Sequence, residues 1–205
     1  LKSALEKAGF DVIEARTDLD RKGMLQALDA FESRARNADV ALVYYSGHGM
    51  QADGVNYLVP VDADLESDAE LPYETLSANK VLARMEEGES LFNLVILDAC
   101  RDNPFSKFKS ASRGLSVVAA PRGSIVVFAT SPGKTADDGS GRNGVFTGAL
   151  LENLKVPGLD IKSILDTTGK IVAERTGNRQ TPWILSSYYG SFYLISPDVA
   201  LARAR

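Results

Sequence analysis

One cysteine and one histidine occur in the 205 residues, Cys100 and His48, and their chemistries are complementary. A thiol attacks a carbonyl as thiolate. A neighbouring imidazole can take its proton and later return it to a leaving amine, so Cys and His together suffice for nucleophilic acyl transfer. Each ends an apolar run: His48 in Tyr44-Tyr45-Ser46-Gly47-His48-Gly49, and Cys100 in Leu97-Asp98-Ala99-Cys100-Arg101-Asp102. Taken singly, a lone thiol is more often a buried small hydrophobe and a lone histidine part of a turn. The shared placement of both at the ends of apolar runs favours function over those plainer roles.

Hydrophobic periodicity predicts the elements that must position them. Residues 40–45, 92–97 and 124–129 are apolar runs of strand length, and 10–15 and 192–195 read as further strands. Helical spacing covers 20–38, 77–87, 143–154 and 161–175, with Asp18 or Asp20 able to cap the first of these, and 1–8 reads as the tail of a helix. Strands alternating with helices predict an α/β fold with a mostly parallel sheet covered on both faces. His48 and Cys100 then fall just past the carboxyl ends of two strands, where open α/β sheets bind ligands. Gly47 and Gly49 let the backbone turn tightly and leave a main-chain N–H near Gly49 free. With the N–H of Cys100 it would form an oxyanion hole, in which one donor is worth about 3 kcal/mol in the transition state.

Composition narrows the partners. Apolar residues make up 44% and charged residues 24%, enough to bury the core of a single domain spanning 1–205. The net charge is −4 and no stretch is dense in Lys or Arg, which argues against a nucleic-acid partner. No apolar run approaches the roughly 18 to 20 residues of a membrane helix, so no membrane partner is expected. A lone cysteine forms no internal disulfide, and a thiol that must stay reactive suits a reducing compartment, giving a cytoplasmic expectation. Leu1 is not an initiator methionine, which leaves room for an upstream signal.

The motifs resemble the caspase-like cysteine peptidases of the caspase, metacaspase and bacterial orthocaspase group. Tyr45-Ser46-Gly47-His48-Gly49 and Leu97-Asp98-Ala99-Cys100-Arg101 are the strongest marks. The histidine stands about 50 residues ahead of the cysteine, as in caspases. Ala129-Thr130-Ser131-Pro132-Gly133, Asn143-Gly144-Val145-Phe146-Thr147 and Gln180-Thr181-Pro182-Trp183 are similar to the bacterial members. The resemblance implies a three-layer α/β/α sandwich with about six strands, His48 as general base then acid, Cys100 as nucleophile, and a protein or peptide substrate. It implies no organic cofactor. Calcium activation follows by analogy alone, since the acids lack the spacing of a twelve-residue calcium loop. The family's opening strand, central in its sheet, is expected upstream of residue 1, so the chain reads as a piece of a longer protein.

Where true caspases surround a substrate aspartate with arginines and a glutamine, this chain has acids. Asp98 stands at the glutamine position, and Asp138 aligns with one of the arginines. Such a pocket rejects Asp and favours Arg or Lys, because an unpaired buried charge costs several kcal/mol. Asp98 as a structural acid at the strand end is the alternative, and Asp137-Asp138-Gly139-Ser140-Gly141 equally has the composition of a solvated turn. Ala136 replaces a serine that helps hold the substrate backbone in caspases. Lys107, Lys109, Arg113 and Arg122, in a long basic connection, are candidate self-processing sites. Residues 192–195 could form an edge strand that pairs with a second copy, whereas metacaspases tend to be monomers, so monomer and homodimer both stay open. Two rival functions remain: a catalytically silent scaffold with this fold, and another cysteine acyl hydrolase of the same clan.

Overall fold

The structure is a computed structural model that describes residues 1–100, 120–139, 141 and 143–197. In chain order its elements are helices α1 (Lys2–Lys7) and α2 (Arg21–Ala35), strands β1 (Val40–Ser46), β2 (Gly49–Ala52) and β3 (Val55–Leu58), and helix α3 (Leu71–Glu74). Then come β4 (Leu76–Ser77), α4 (Ala78–Glu87), β5 (Phe92–Asp98), β6 (Ser124–Phe128), α5 (Val145–Asn153), α6 (Ile161–Arg175) and β7 (Trp183–Ser186). They fall into two compact units. One holds Thr17–Ala136 and Trp183–Tyr188, and the other holds Leu1–Arg16, Asp137–Pro182 and the described residues from Tyr189 on.

The first unit carries the main sheet, of order β1-β5-β6-β7. β1, β5 and β6 run parallel and β7 antiparallel. Every residue of β5 and β6 is buried, as a continuous apolar run in a parallel sheet requires when both faces are covered. Val95, Leu97, Val126 and Phe128 share one hydrophobic cluster with Met24 and Leu28 of α2 and with Val81, Leu82 and Met85 of α4. The helices start where capping chemistry predicts. Asp20 Oδ1 accepts the Gly23 N–H at 2.6 Å, and Ser77 Oγ accepts the Lys80 N–H at 3.3 Å. Arg84 of α4 ties the two helices through Asp29 and Glu32 of α2.

In the second unit α5 packs against α6, and Arg175 of α6 forks onto Glu152 with its shortest N···O distance at 2.8 Å. Asp160 caps α6 by accepting the Ser163 N–H at 2.8 Å. The 161–175 expectation matches α6 in both bounds.

The expected α/β class holds: a mostly parallel sheet flanked by helices. Particular strands differ from expectation. Residues 10–15 form no strand, because a strand exists only as a ladder partner and no described strand pairs with them. Residues 192–195 are likewise no strand and no sheet edge, contributing one isolated bridge from Tyr193 to Asp160. The terminal strands among the described residues are β1 and β7, the latter held on β6 from Ile125↔Ser186 to Phe128↔Trp183. Main-sheet strands therefore number four among the described residues, beside a small antiparallel sheet of order β2-β3-β4. No helix among the described residues is long and apolar enough to cross a membrane.

Ile96 is 1% exposed in the central strand. Truncation there should leave a cavity, so Ile96→Ala is expected to lower unfolding free energy by about 2–5 kcal/mol in urea denaturation. A change under about 1 kcal/mol would show that β5 does not anchor the core.

Candidate active site

β1 and β5 are neighbours in parallel register, with Ser46 opposite Asp98 at the last rung. His48 and Cys100 are each the second residue past that rung, so the two chains deliver them at the same level of the sheet. The strands stay tied as they leave it, since the Gly47 N–H donates to the Asp98 carbonyl at 3.3 Å. Glycine is needed here for close approach rather than for unusual backbone angles. A Cβ on Gly49 would lie 2.7 Å from both Ala99 Cβ and the Cys100 carbonyl oxygen, and one on Gly47 would lie 2.7 Å from the Tyr45 hydroxyl. Neither glycine is among those with positive φ. The chain after the histidine is thus pressed onto the chain that leads into the cysteine.

Tyr45 holds the histidine's main chain. Its hydroxyl lies 2.8 Å from the His48 carbonyl and 3.0 Å from the Val59 carbonyl, sharing one proton between two acceptors. The Val59 N–H also donates to the His48 carbonyl at 3.0 Å. That bond makes the adjacent Gly49↔Leu58 pair a non-hydrogen-bonded rung of the β2-β3 ladder. The Gly49 N–H therefore points away from β3, outside that ladder. Burial pushes the Tyr45 phenol up to about 12. The His48 residue is exposed, leaving its ring accessible.

Cys100 is half-buried and free. Its Sγ accepts the Ala136 N–H at 3.4 Å and lies 4.0 Å from the Ala136 carbonyl. Beside it is a cavity of about 10 Å³ lined by Gly49, Tyr57, Leu97 and Phe128, among others. That is room for about one water and not for a substrate side chain.

Asp98 closes β5 and is 9% exposed. Asp138 is exposed and belongs to the other unit. Its neighbour Asp137 is a turn anchor: Oδ1 accepts the Gly139 N–H at 3.0 Å, and Oδ2 pairs with Arg179 at 3.2 Å. The Asp137 N–H donates to the buried Gln180 side chain at 2.9 Å. Arg122 is exposed in the turn before β6, while Lys107, Lys109 and Arg113 lie outside the described residues. The calcium that the resemblance allows finds no group of three or more His, Cys, Asp or Glu placed to hold it among the described residues. Sequence reasoning missed the Tyr45 contact to the His48 carbonyl and the contact of the Ala136 main chain with the thiol. A tyrosine ending an apolar strand needs a partner for its polar tip, which would have flagged the first. Ala136 acts through backbone atoms, and nothing in its side chain announces that.

The arrangement is thus a histidine and a cysteine, each two residues past the same rung of a parallel ladder, on an α/β scaffold. The Caspase domain family model matches residues 1–193, and the chain belongs to that family of cysteine peptidases. It is also similar to mucosa-associated lymphoid tissue lymphoma translocation protein 1 of Homo sapiens and to its Mus musculus homolog, 33% identical to each over 101 residues. The matched stretch covers 49% of this chain and 12% of each relative.

Tyr45→Phe removes the hydroxyl from two carbonyls and should cost about 1–3 kcal/mol of stability at neutral pH. The wild-type phenol ionises more readily unfolded, at its ordinary value of 10.0, than folded, at about 12, so its contribution is full below pH 10 and is lost as pH rises through 12. Urea melts across that range should show an alkaline decline that is smaller in Tyr45→Phe. Equal declines would remove Tyr45 as its source.

Proposed function

We propose that the chain is a cysteine endopeptidase that cleaves after Arg or Lys, with His48 as general base then acid and Cys100 as nucleophile. The observation that carries this reading is the common rung: His48 and Cys100 both leave the sheet just past Ser46↔Asp98, with Gly49 packed on the Cys100 backbone. His48 takes the thiol proton as sulfur bonds to the scissile carbonyl carbon. The N–H groups of Gly49 and Cys100 receive the developing oxyanion. Collapse breaks the C–N bond, the leaving amine takes the proton from His48, and a thioester remains. Water, deprotonated by His48, then attacks the thioester, and the released sulfur regains its proton.

Asp98 and Asp138 supply the preference for a cationic side chain, and Arg122, Lys107, Lys109 and Arg113 are the corresponding self-processing positions. Burial of Asp98 supports a role for its carboxylate, since a buried carboxylate favours a cation as partner. The substrate is peptide or protein, and no organic cofactor takes part. The reaction is assigned to the reduced, cytoplasmic setting that a working thiol suits.

Matched fluorogenic peptides ending in Arg, Lys, Asp or Asn, assayed with and without calcium, test this. Turnover after Arg or Lys should fall by about 10⁴-fold or more in Cys100→Ala and in His48→Ala. Asp98→Asn should lower kcat/KM for the basic peptides by about 10- to 100-fold while sparing the rate of Cys100 alkylation by iodoacetamide. Cleavage after Asp would overturn the acidic pocket. Absence of all cleavage, with N-terminal sequencing showing an intact chain, would favour the scaffold reading.

A further inference from the structure

A second cavity, of about 320 Å³, opens within the sheet-bearing unit, between the start of α2, strand β3 and the start of α4. Its walls are apolar at Leu25, Val55 and Leu76 and cationic at Arg21 and Lys80, with Tyr57 on one side. Among the described residues no carboxylate lines it, in a chain whose 27 acids outnumber its 23 Lys and Arg.

The arrangement of the two cations is informative. Arg21 Nε donates to the Thr75 carbonyl at 3.3 Å, which fixes the guanidinium at the cavity wall. The main-chain N–H of Arg21 is taken by Asp62 Oδ1 at 2.9 Å, so that acid serves the backbone. Among the described residues, neither the guanidinium of Arg21 nor the ammonium of Lys80 forms an ion pair. Most of the other arginines described here do so: Arg16, Arg36, Arg84, Arg175 and Arg179. Two like charges facing one concavity repel each other, and an anion between them relieves that repulsion and gains charge-assisted hydrogen bonds.

We propose that this cavity binds a small organic phosphate, a monoester with one compact apolar group. The volume is at the lower end for small-molecule pockets, enough for one ring or a short aliphatic body. A phosphate monoester matches the donors better than a carboxylate does. It carries close to two charges and three acceptor oxygens, against two cations on different elements and the neutral side chains of Ser77 and Asn79. The planar guanidinium takes two of those oxygens, the ammonium takes the third, and the apolar group rests on Leu25, Val55 and Leu76. Tyr57 lines this cavity and also the small one beside Cys100.

Isothermal titration of the whole chain with phenyl phosphate tests the site, with inorganic phosphate as the second arm. Saturable binding with Kd below about 1 mM is expected, weakened about tenfold or more by Lys80→Gln and by Arg21→Gln, and weaker still for inorganic phosphate. Lys80 is exposed, so its replacement leaves the fold intact even if loss of the Arg21 contact to Thr75 disturbs it. No saturation up to about 10 mM, or an unchanged Kd in Lys80→Gln, overturns the proposal. Inorganic phosphate binding as tightly as phenyl phosphate overturns the organic half of it.

Discussion

The parallel ladder between β1 and β5 is the constraint on which the rest of this site depends. Residues are paired from Val40↔Phe92 to Ser46↔Asp98 without a break, so a slip by one residue would turn every side chain of β1 to the opposite face. β5, buried along its whole length and paired with β6 on its other edge, gives that ladder a fixed partner. Packing far from the thiol thus sets the level at which histidine and cysteine emerge. Close approach finishes the job: at Gly49 the two outgoing chains come so near that even a methyl group would collide with the Cys100 carbonyl.

Polar groups near the strand ends are handled in the same economical way. The His48 carbonyl faces two donors, the Tyr45 hydroxyl and the Val59 amide, from elements on either side of it in sequence. The phenol reaches forward from the strand that leads to the histidine, so the residue that positions the backbone and the residue that is positioned share one stretch of chain. The imidazole itself stays exposed. The main chain is held on both sides while the ring side is left open to solvent.

How much of this was legible in the sequence depends on where the physics is local. Helix α6 was readable to the residue because Asp160 caps it and its apolar positions repeat at helical spacing. Cys100 and His48 stood out through their rarity and their place after apolar runs. The β2-β3 hairpin was missed although Asp53-Gly54, both at positive φ (47 and 76), is a strong two-residue turn signature. Residues 10–15 alternate as a strand should but have no ladder partner among the described residues, and partnership is a non-local fact. β7 owes its state to β6, and Trp183 at its start gave no periodic cue. The contact of Ala136 with the thiol is made by the main chain, which every residue type possesses alike.

Because one ladder sets the spacing of the histidine and the cysteine, that spacing is insensitive to what happens in the surrounding connections. The acid at position 138 sits in a turn of the other unit, held by Asp137, Arg179 and Gln180, and none of those contacts involves β1 or β5. Such turns can therefore be lengthened, recharged or exchanged while the level at which the histidine and the cysteine leave the sheet is inherited unchanged. Turn and ladder are separately evolvable here, and grafting a foreign turn at 137–141 is the protein-engineering counterpart of that drift.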